Sequence, residues 1–170
     1  MIGNGAGNGL WGGAGADRLD GGVGRDRLDG GDGRDQLTGG AADDRLTGRS
    51  GADQLTGGGG RDVMAGGGGA DIFVWQSVAE AQADRIRDFT PGSDRFALTA
   101  IDLDDVTPGH QGFHFIDQTL FGQRVGELRF AADPALSLTR IEGDADGDGL
   151  ADFTLYLTGV IALLASDFLL

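Results

Sequence analysis

From Gly3 to Val74 the chain divides into eight consecutive nonapeptides with no insertion, a fixed period that confines it to a stack of short, similar units. They read GNGAGNGLW, GGAGADRLD, GGVGRDRLD, GGDGRDQLT, GGAADDRLT, GRSGADQLT, GGGGRDVMA and GGGGADIFV. The sixth position holds Asn8, then Asp17, Asp26, Asp35, Asp44, Asp53, Asp62 and Asp71. The eighth holds Leu10, Leu19, Leu28, Leu37, Leu46, Leu55, Met64 and Phe73. Of the 34 glycines, 25 fall in this array. A flexible glycine-rich linker keeps no such register, and no Gly-X-Y period indicates collagen.

Each position has a physical role. Glycines at positions one, two and four permit positive φ and turn carbonyls toward a common point. Positions seven to nine are free to form a short strand, with the eighth side chain facing inward. Two repeats complete one coil, and successive coils stack about 4.8 Å apart. The expectation is an all-β chain: a two-sided parallel β-roll over residues 3–74 with a core one side chain thick.

Stacking the coils also stacks the aspartates. Asp26, Asp44 and Asp62 line one edge, and Asp17, Asp35, Asp53 and Asp71 the other. Unit charges about 5 Å apart repel by roughly 1 kcal/mol in water and by several times that at a partly shielded surface. A calcium ion between neighbouring carboxylates reverses the sign of the interaction, with loop carbonyls completing an all-oxygen shell. The net charge of −14 suits a hard cation and argues against naked nucleic acid. Cysteine is absent, which excludes disulfides and thiolate metal sites.

Beyond Val74, Ser77 to Ala83 reads as a short helix with Ser77 as N-cap. Phe113 to Ile116, Gly126 to Ala131, Leu136 to Glu142 and Phe153 to Thr158 read as strands. Residues 75–170 are therefore expected to form a small antiparallel β-rich cap over the end of the roll. Asp144, Asp146 and Asp148, with Gly149, resemble the start of an EF-hand loop, but Leu155 stands where that loop needs a glutamate. A tight hairpin turn and a second kind of calcium site both remain open. Asp84, Asp88 and Asp94 are further candidates for an ion where roll meets cap. The two histidines, His110 and His114, are spaced i,i+4 but enclose no glutamate, so they read as surface or strand residues. No secretory signal peptide is visible at Met1, and the apolar stretch from Gly159 to Leu170 is too short to span a membrane.

The nonapeptides resemble the GGxGxDxUx repeats of RTX (hemolysin-type) proteins, a calcium-binding β-solenoid pattern. Residues 70–74 (ADIFV), 84–89 (DRIRDF), 91–95 (PGSDR), 126–130 (GELRF), 143–149 (GDADGDG) and the terminal Asp167-Phe168-Leu169-Leu170 are similar to the C-terminal region of serralysin-type secreted metalloproteases. The resemblance implies calcium ligation by the carboxylates of Asp17 to Asp71, and by carbonyls at positions one to four. Those map onto Gly13, Gly15, Gly22, Gly24, Gly31, Gly33, Gly40, Gly51, Gly58 and Gly60, with Asn8 as a weak outermost ligand. Ala42 and Arg49 depart from the glycine pattern, and Ala97 stands where the family often has aspartate.

The resemblance further implies about six calcium ions in the roll and possibly one or two more. It implies export by a type I secretion machinery that reads the C-terminal end, an extracellular location, and a place as the C-terminal module of a larger secreted protease. With no His-Glu-x-x-His and no other catalytic constellation in these residues, no activity is expected of this chain itself. Folding would then wait for extracellular calcium. The alternative is an acidic-polysaccharide-binding module like those of alginate epimerases. Arg18, Arg27 and Arg45 at position seven are the candidates for lining its groove.

Overall fold

The computed structural model describes residues 1–101, 103 and 112–170, and these are almost entirely β. The nonapeptides supply β1 (Gly9–Ala14), β2 (Arg18–Val23), β3 (Arg27–Asp32), β4 (Gln36–Ala41), β5 (Arg45–Ser50), β6 (Gln54–Gly59), β7 (Val63–Gly68) and β8 (Ile72–Val74). Odd and even strands form separate parallel sheets. Leu10, Leu28, Leu46 and Met64 stack in one, and Leu19, Leu37, Leu55 and Phe73 in the other. Leu19 through Phe73 are buried along the shared interior, whereas Leu10 on the outermost strand is only partly covered. The β-roll expected from the period is the fold.

Strands β1 to β7 are six residues long, twice the expected length, because pairing continues through positions one to three of the following repeat. Gly13 pairs with Gly31 and Gly22 with Gly40 inside the turns themselves. The glycines divide by role. Positions two and four take positive φ, as at Gly22 (94°) and Gly24 (113°). Position one does not; glycine is needed there for close approach. A Cβ on Gly21 would lie 2.5 Å from Asp26 Oδ2 and 2.6 Å from the Gly39 carbonyl oxygen. Ala42 and Arg49 keep the turn with φ of 84° and 81°, a conformation that costs an L-residue about 1–2 kcal/mol.

The sheets run past Val74. Strand β9 (Gln82–Ile86) pairs with β7, and β10 (Arg95–Ala97) pairs with β8. Ile86 lies beside Met64 and Phe96 beside Phe73, so Asp84-Arg85-Ile86 and Asp94-Arg95-Phe96 repeat positions six to eight after longer connections. The helix expected over Ser77–Ala83 does not form. The Ser77 hydroxyl accepts the Glu80 N–H at 3.3 Å, as a cap would. Only two turn bonds follow, Glu80 N–H to Ser77 O and Ala81 N–H to Val78 O, before the chain is drawn out as β9. Pairing with β7 overrides local helix propensity there.

Strand β14 (Phe153–Thr158) joins β9, followed by β13 (Leu138–Asp144), β12 (Glu127–Asp133) and β11 (His114–Phe115), to give nine strands in one sheet. The β12–β13 and β13–β14 pairs are antiparallel, as expected for the cap. After a 3-10 turn at Ala165–Asp167, β15 (Phe168–Leu169) closes the six-stranded sheet against β10. Phe168 stacks on Phe96 at 5.2 Å, and Phe96 on Phe89 at 4.2 Å. These rings seal the end of the roll core. Among the described residues no helix is long and apolar enough to cross a membrane.

Candidate metal centre

Each edge of the roll carries a continuous carboxylate ladder built from position six. The backbone N–H of Asn8, Asp26 and Asp44 donates to Oδ1 of Asp26, Asp44 and Asp62 at 2.6, 2.7 and 2.7 Å. On the other edge Asp17, Asp35 and Asp53 donate to Asp35, Asp53 and Asp71 at 2.8, 2.8 and 2.9 Å. In Asp26, Asp35, Asp44, Asp53, Asp62 and Asp71 one carboxylate oxygen is thereby used to lock coil to coil. The other, Oδ2, is buried without a hydrogen-bond partner in all seven of Asp17, Asp26, Asp35, Asp44, Asp53, Asp62 and Asp71. Native interiors leave few such groups unsatisfied, so seven in register mark missing ligands rather than poor packing.

The orphan oxygens pack against the position-one glycines, where a Cβ would strike them. The Cβ position of Gly39 is 2.5 Å from Asp44 Oδ2 and 2.6 Å from the Gly57 carbonyl oxygen, repeating the geometry at Gly21. A side chain at position one would therefore collide with both the carboxylate and the carbonyl oxygen, so only glycine lets the two oxygens crowd the same turn. A donor set of hard oxygens alone suits calcium and not a thiophilic metal. Position-four carbonyls are also available. Those of Gly15, Gly33 and Gly51 take none of the backbone hydrogen bonds that join the turns. They point along the stack, so a Cβ on Gly33 or Gly51 would strike the carbonyl of Gly15 or Gly33. Position-one carbonyls, at Gly30, Gly39, Gly57 and Gly66, face the position-one glycine of the preceding coil on the same edge, beside which the aspartate Oδ2 also packs. The invariance of position one within this array signals their part in the cradle.

Burial is the main cause of abnormal acidity here. It pushes Asp44 up to about 7 against the lowering effect of the Asp26 N–H, and the Asp62 and Asp26 charges push it further. Asp62 and Asp71 are raised to about 6, and Asp53 is raised, each first by burial. Without a metal, Asp44, Asp53, Asp62 and Asp71 are thus held where their charge is relieved by a proton or a cation.

The ladders end in satisfied groups. Asp84 Oδ1 accepts the Asp62 N–H at 2.7 Å, and its Oδ2 accepts the Trp75 indole N–H at 2.8 Å. Asp94 accepts the N–H groups of Asp71 and Thr90 at 3.1 and 2.8 Å. Asp88 accepts those of Gly66 and Gly67, both at 3.0 Å. All three, considered in the sequence as ion ligands where roll meets cap, have both oxygens engaged by protein. At the opposite end Asn8 Oδ1 accepts the Asn4 N–H at 2.7 Å.

Asp144, Asp146 and Asp148 lie in or beside the β13–β14 turn. Asp144 is buried and accepts the Gly147 and Gly149 N–H groups at 2.7 and 2.8 Å. Asp148 turns away to accept the Leu150 N–H at 2.8 Å. Asp152, outside the pattern considered in the sequence, instead joins Asp144 and Asp146, with oxygens of the three within 4.8 Å of one another. Asp152 Oδ2 accepts the Ala145 and Asp146 N–H groups at 2.6 and 3.2 Å, so these carboxylates tie a tight turn. His114 lies exposed on β11; His110 falls outside the described residues. Ala97 pairs with Val74 and Leu169 at the end of the six-stranded sheet. Arg18, Arg27 and Arg45 do not line one groove. Alternate repeats feed opposite sheets, so Arg18 lies beside Gln36 on one face while Arg27 and Arg45 are neighbours on the other.

Residues 11–170 match the family described as peptidase M10 serralysin C terminal. Among solved structures, the chain is similar to the AlgE6R3 subunit of the Azotobacter vinelandii mannuronan C5-epimerase. That match has 28% identity and a TM-score of 0.59, and covers 92% of this chain and 78% of that one. The AlgE6R2 subunit of the same enzyme is 25% identical, with a TM-score of 0.59, over 99% of this chain and 91% of that one. No curated protein matches the chain.

Proposed function

The chain belongs to the serralysin C-terminal family of peptidase M10, and from that premise we propose that it is a calcium-binding module that folds on meeting extracellular calcium. Residues 3–74 are the calcium-binding array and residues 75–170 its cap. Asp17, Asp26, Asp35, Asp44, Asp53, Asp62 and Asp71 supply Oδ2 ligands, and the turn glycines supply carbonyls. The observation that carries this reading is the set of seven buried, partnerless Oδ2 atoms in two rows. Asp84 and Asp94 act as end stops for the ladders and Asp88 ties the Gly66–Gly67 turn, since their oxygens are already engaged. The module has no catalytic role of its own; it serves the export and stability of a secreted protein.

Secretion fits the same structure. Asp167 and Phe168 of the terminal motif are buried, with Phe168 inside the core of the roll's end. A type I exporter would read that motif in the unfolded chain, before calcium closes it away. A second reading, polysaccharide binding, is favoured by the likeness to two subunits of a mannuronan C5-epimerase. It is compatible with the first, because calcium would build the scaffold for either role. Equilibrium dialysis against calcium tests the proposal: about six ions per chain are expected, with magnesium unable to replace them at equal concentration. Binding of one ion or none would overturn it.

A further inference from the structure

The nine-stranded sheet presents one cross-strand row on its outer face. Arg27 pairs with Arg45, Arg45 with Val63, Val63 with Arg85, Arg85 with Tyr156, and Tyr156 with Arg140. Directly paired residues project from the same side of a sheet, and here the inward side is fixed by the buried Leu28, Leu46, Met64, Ile86, Leu157 and Ile141. All four arginines are exposed and Tyr156 is half-covered. Five strand steps make the row about 24 Å long. Within the described residues Arg27, Arg45 and Arg85 enter no ion pair, in a protein whose net charge is −14. Arg140 lies 3.5 Å from Glu142, but Glu142 is already held by Arg129 at 2.8 Å. Beside Arg85 a cavity of about 420 Å³ opens, lined also by Leu136, Leu138 and Thr158. The opposite sheet carries Gln36, Gln54 and Ile72 between Arg18 and Arg95 in the corresponding row, so the cationic row belongs to one face.

We infer that this row is a binding surface for a linear polysaccharide bearing carboxylates, laid across the strands from Arg27 to Arg140. Guanidinium forks bind carboxylates bidentately, and the phenol ring of Tyr156 and the apolar shelf at Leu136 give sugar rings a surface to pack on. Charge density selects this class over nucleic acid. The arginines recur every one or two strands, about 5–10 Å. Duplex DNA carries one charge per roughly 1.7 Å, far denser than this row. The inference rests on the calcium-loaded roll, because only stacked coils bring Arg27, Arg45 and Arg85 into line.

The test is isothermal titration of a short oligomannuronate of defined length into the calcium-saturated protein, with circular dichroism on the same samples. Arg45→Gln/Arg85→Gln is compared with Arg18→Gln/Arg34→Gln, a pair with the same charge change that lines a cavity with Gln36 and Gln54 of the other sheet. Glutamine already occupies position seven at Gln36 and Gln54, so the replacement suits the strand. The expected result is a loss of affinity of about tenfold or more, with a shallower salt dependence, in the first pair only. Failure of the folded wild type to bind, equal loss in both pairs, or equal binding of duplex DNA through the same arginines would each overturn the inference. An unchanged calcium titration in every variant separates that outcome from failure of the calcium reading.

Discussion

Asp44 accepts the backbone N–H of Asp26 through Oδ1 at 2.7 Å while its Oδ2 stays buried with no partner. One carboxylate thus joins coils with one oxygen and, in the proposed function, gives the other to a cation. The two jobs can be separated by mutation.

Asp44→Asn retains an acceptor at Oδ1 but replaces the ligand oxygen with an N–H donor. Its calcium midpoint is expected to rise by about as much as that of Asp44→Ala, whereas only the alanine also removes the coil-to-coil bond, worth about 1 kcal/mol. Calcium titration and thermal melting of both variants check this.

Position in the ladder sets the size of the effect. Asp44 stands between Asp26 and Asp62, whereas Asp17 has a carboxylate neighbour on one side only. An interior break uncouples the coils on both sides, while an end break frays. Asp17→Ala is therefore expected to raise the calcium midpoint least, and Asp44→Ala, Asp62→Ala and Asp71→Ala more. Calorimetric midpoints for the four variants give the order.

The two non-glycine turns should respond differently to glycine. Ala42→Gly relieves a positive φ and is expected to stabilise the calcium-loaded protein by about 1 kcal/mol. Arg49→Gly relieves the same strain but strips Asp29, which is buried, of a guanidinium that grips it through Nε and through Nη2 at 2.6 Å. A buried carboxylate left unpaired costs more than the turn gains, so Arg49→Gly is expected to destabilise. Denaturant unfolding in saturating calcium measures both.

Acid should act in opposite directions with and without calcium. Asp44 at about 7, and Asp62 and Asp71 at about 6, lie above the usual 3.8, so the folded chain binds more protons than the unfolded chain between about pH 4 and 7. Without metal, stability is fully present below the unfolded value and is lost as pH rises through the folded values. The metal-free chain should thus gain β structure on acidification from pH 7.5 to 5. Calcium needs the deprotonated ligands, so its midpoint should rise over the same interval. Circular dichroism at graded pH, with and without calcium, distinguishes the two slopes.

The period of nine made the roll, its inward-facing eighth position and both aspartate rows legible, because each is a direct consequence of register. The sequence also held a signal that strict register hides. Asp84-Arg85-Ile86 and Asp94-Arg95-Phe96 copy Asp17-Arg18-Leu19, but their connections are lengthened, so a fixed nine-residue frame passes over them. The helix expected at Ser77 has good local credentials, including its serine cap. It is overruled because Asp62 needs the carboxylate of Asp84 one coil on, and that requires β9 to be extended. The grouping of Asp152 with Asp144 depends on how a turn closes, which spacing alone does not reveal.

The central claim is that calcium on the orphan Oδ2 atoms holds the roll together, and its most direct measurement is the hydrodynamic radius, with far-ultraviolet circular dichroism, before and after EDTA. Chelation is expected to expand the chain toward the radius of a disordered polymer and to abolish the β signal. Restoring calcium to about 10⁻⁴–10⁻³ M should recover both in one cooperative step. A compact, cooperatively folded β protein that persists in EDTA at neutral pH would contradict it.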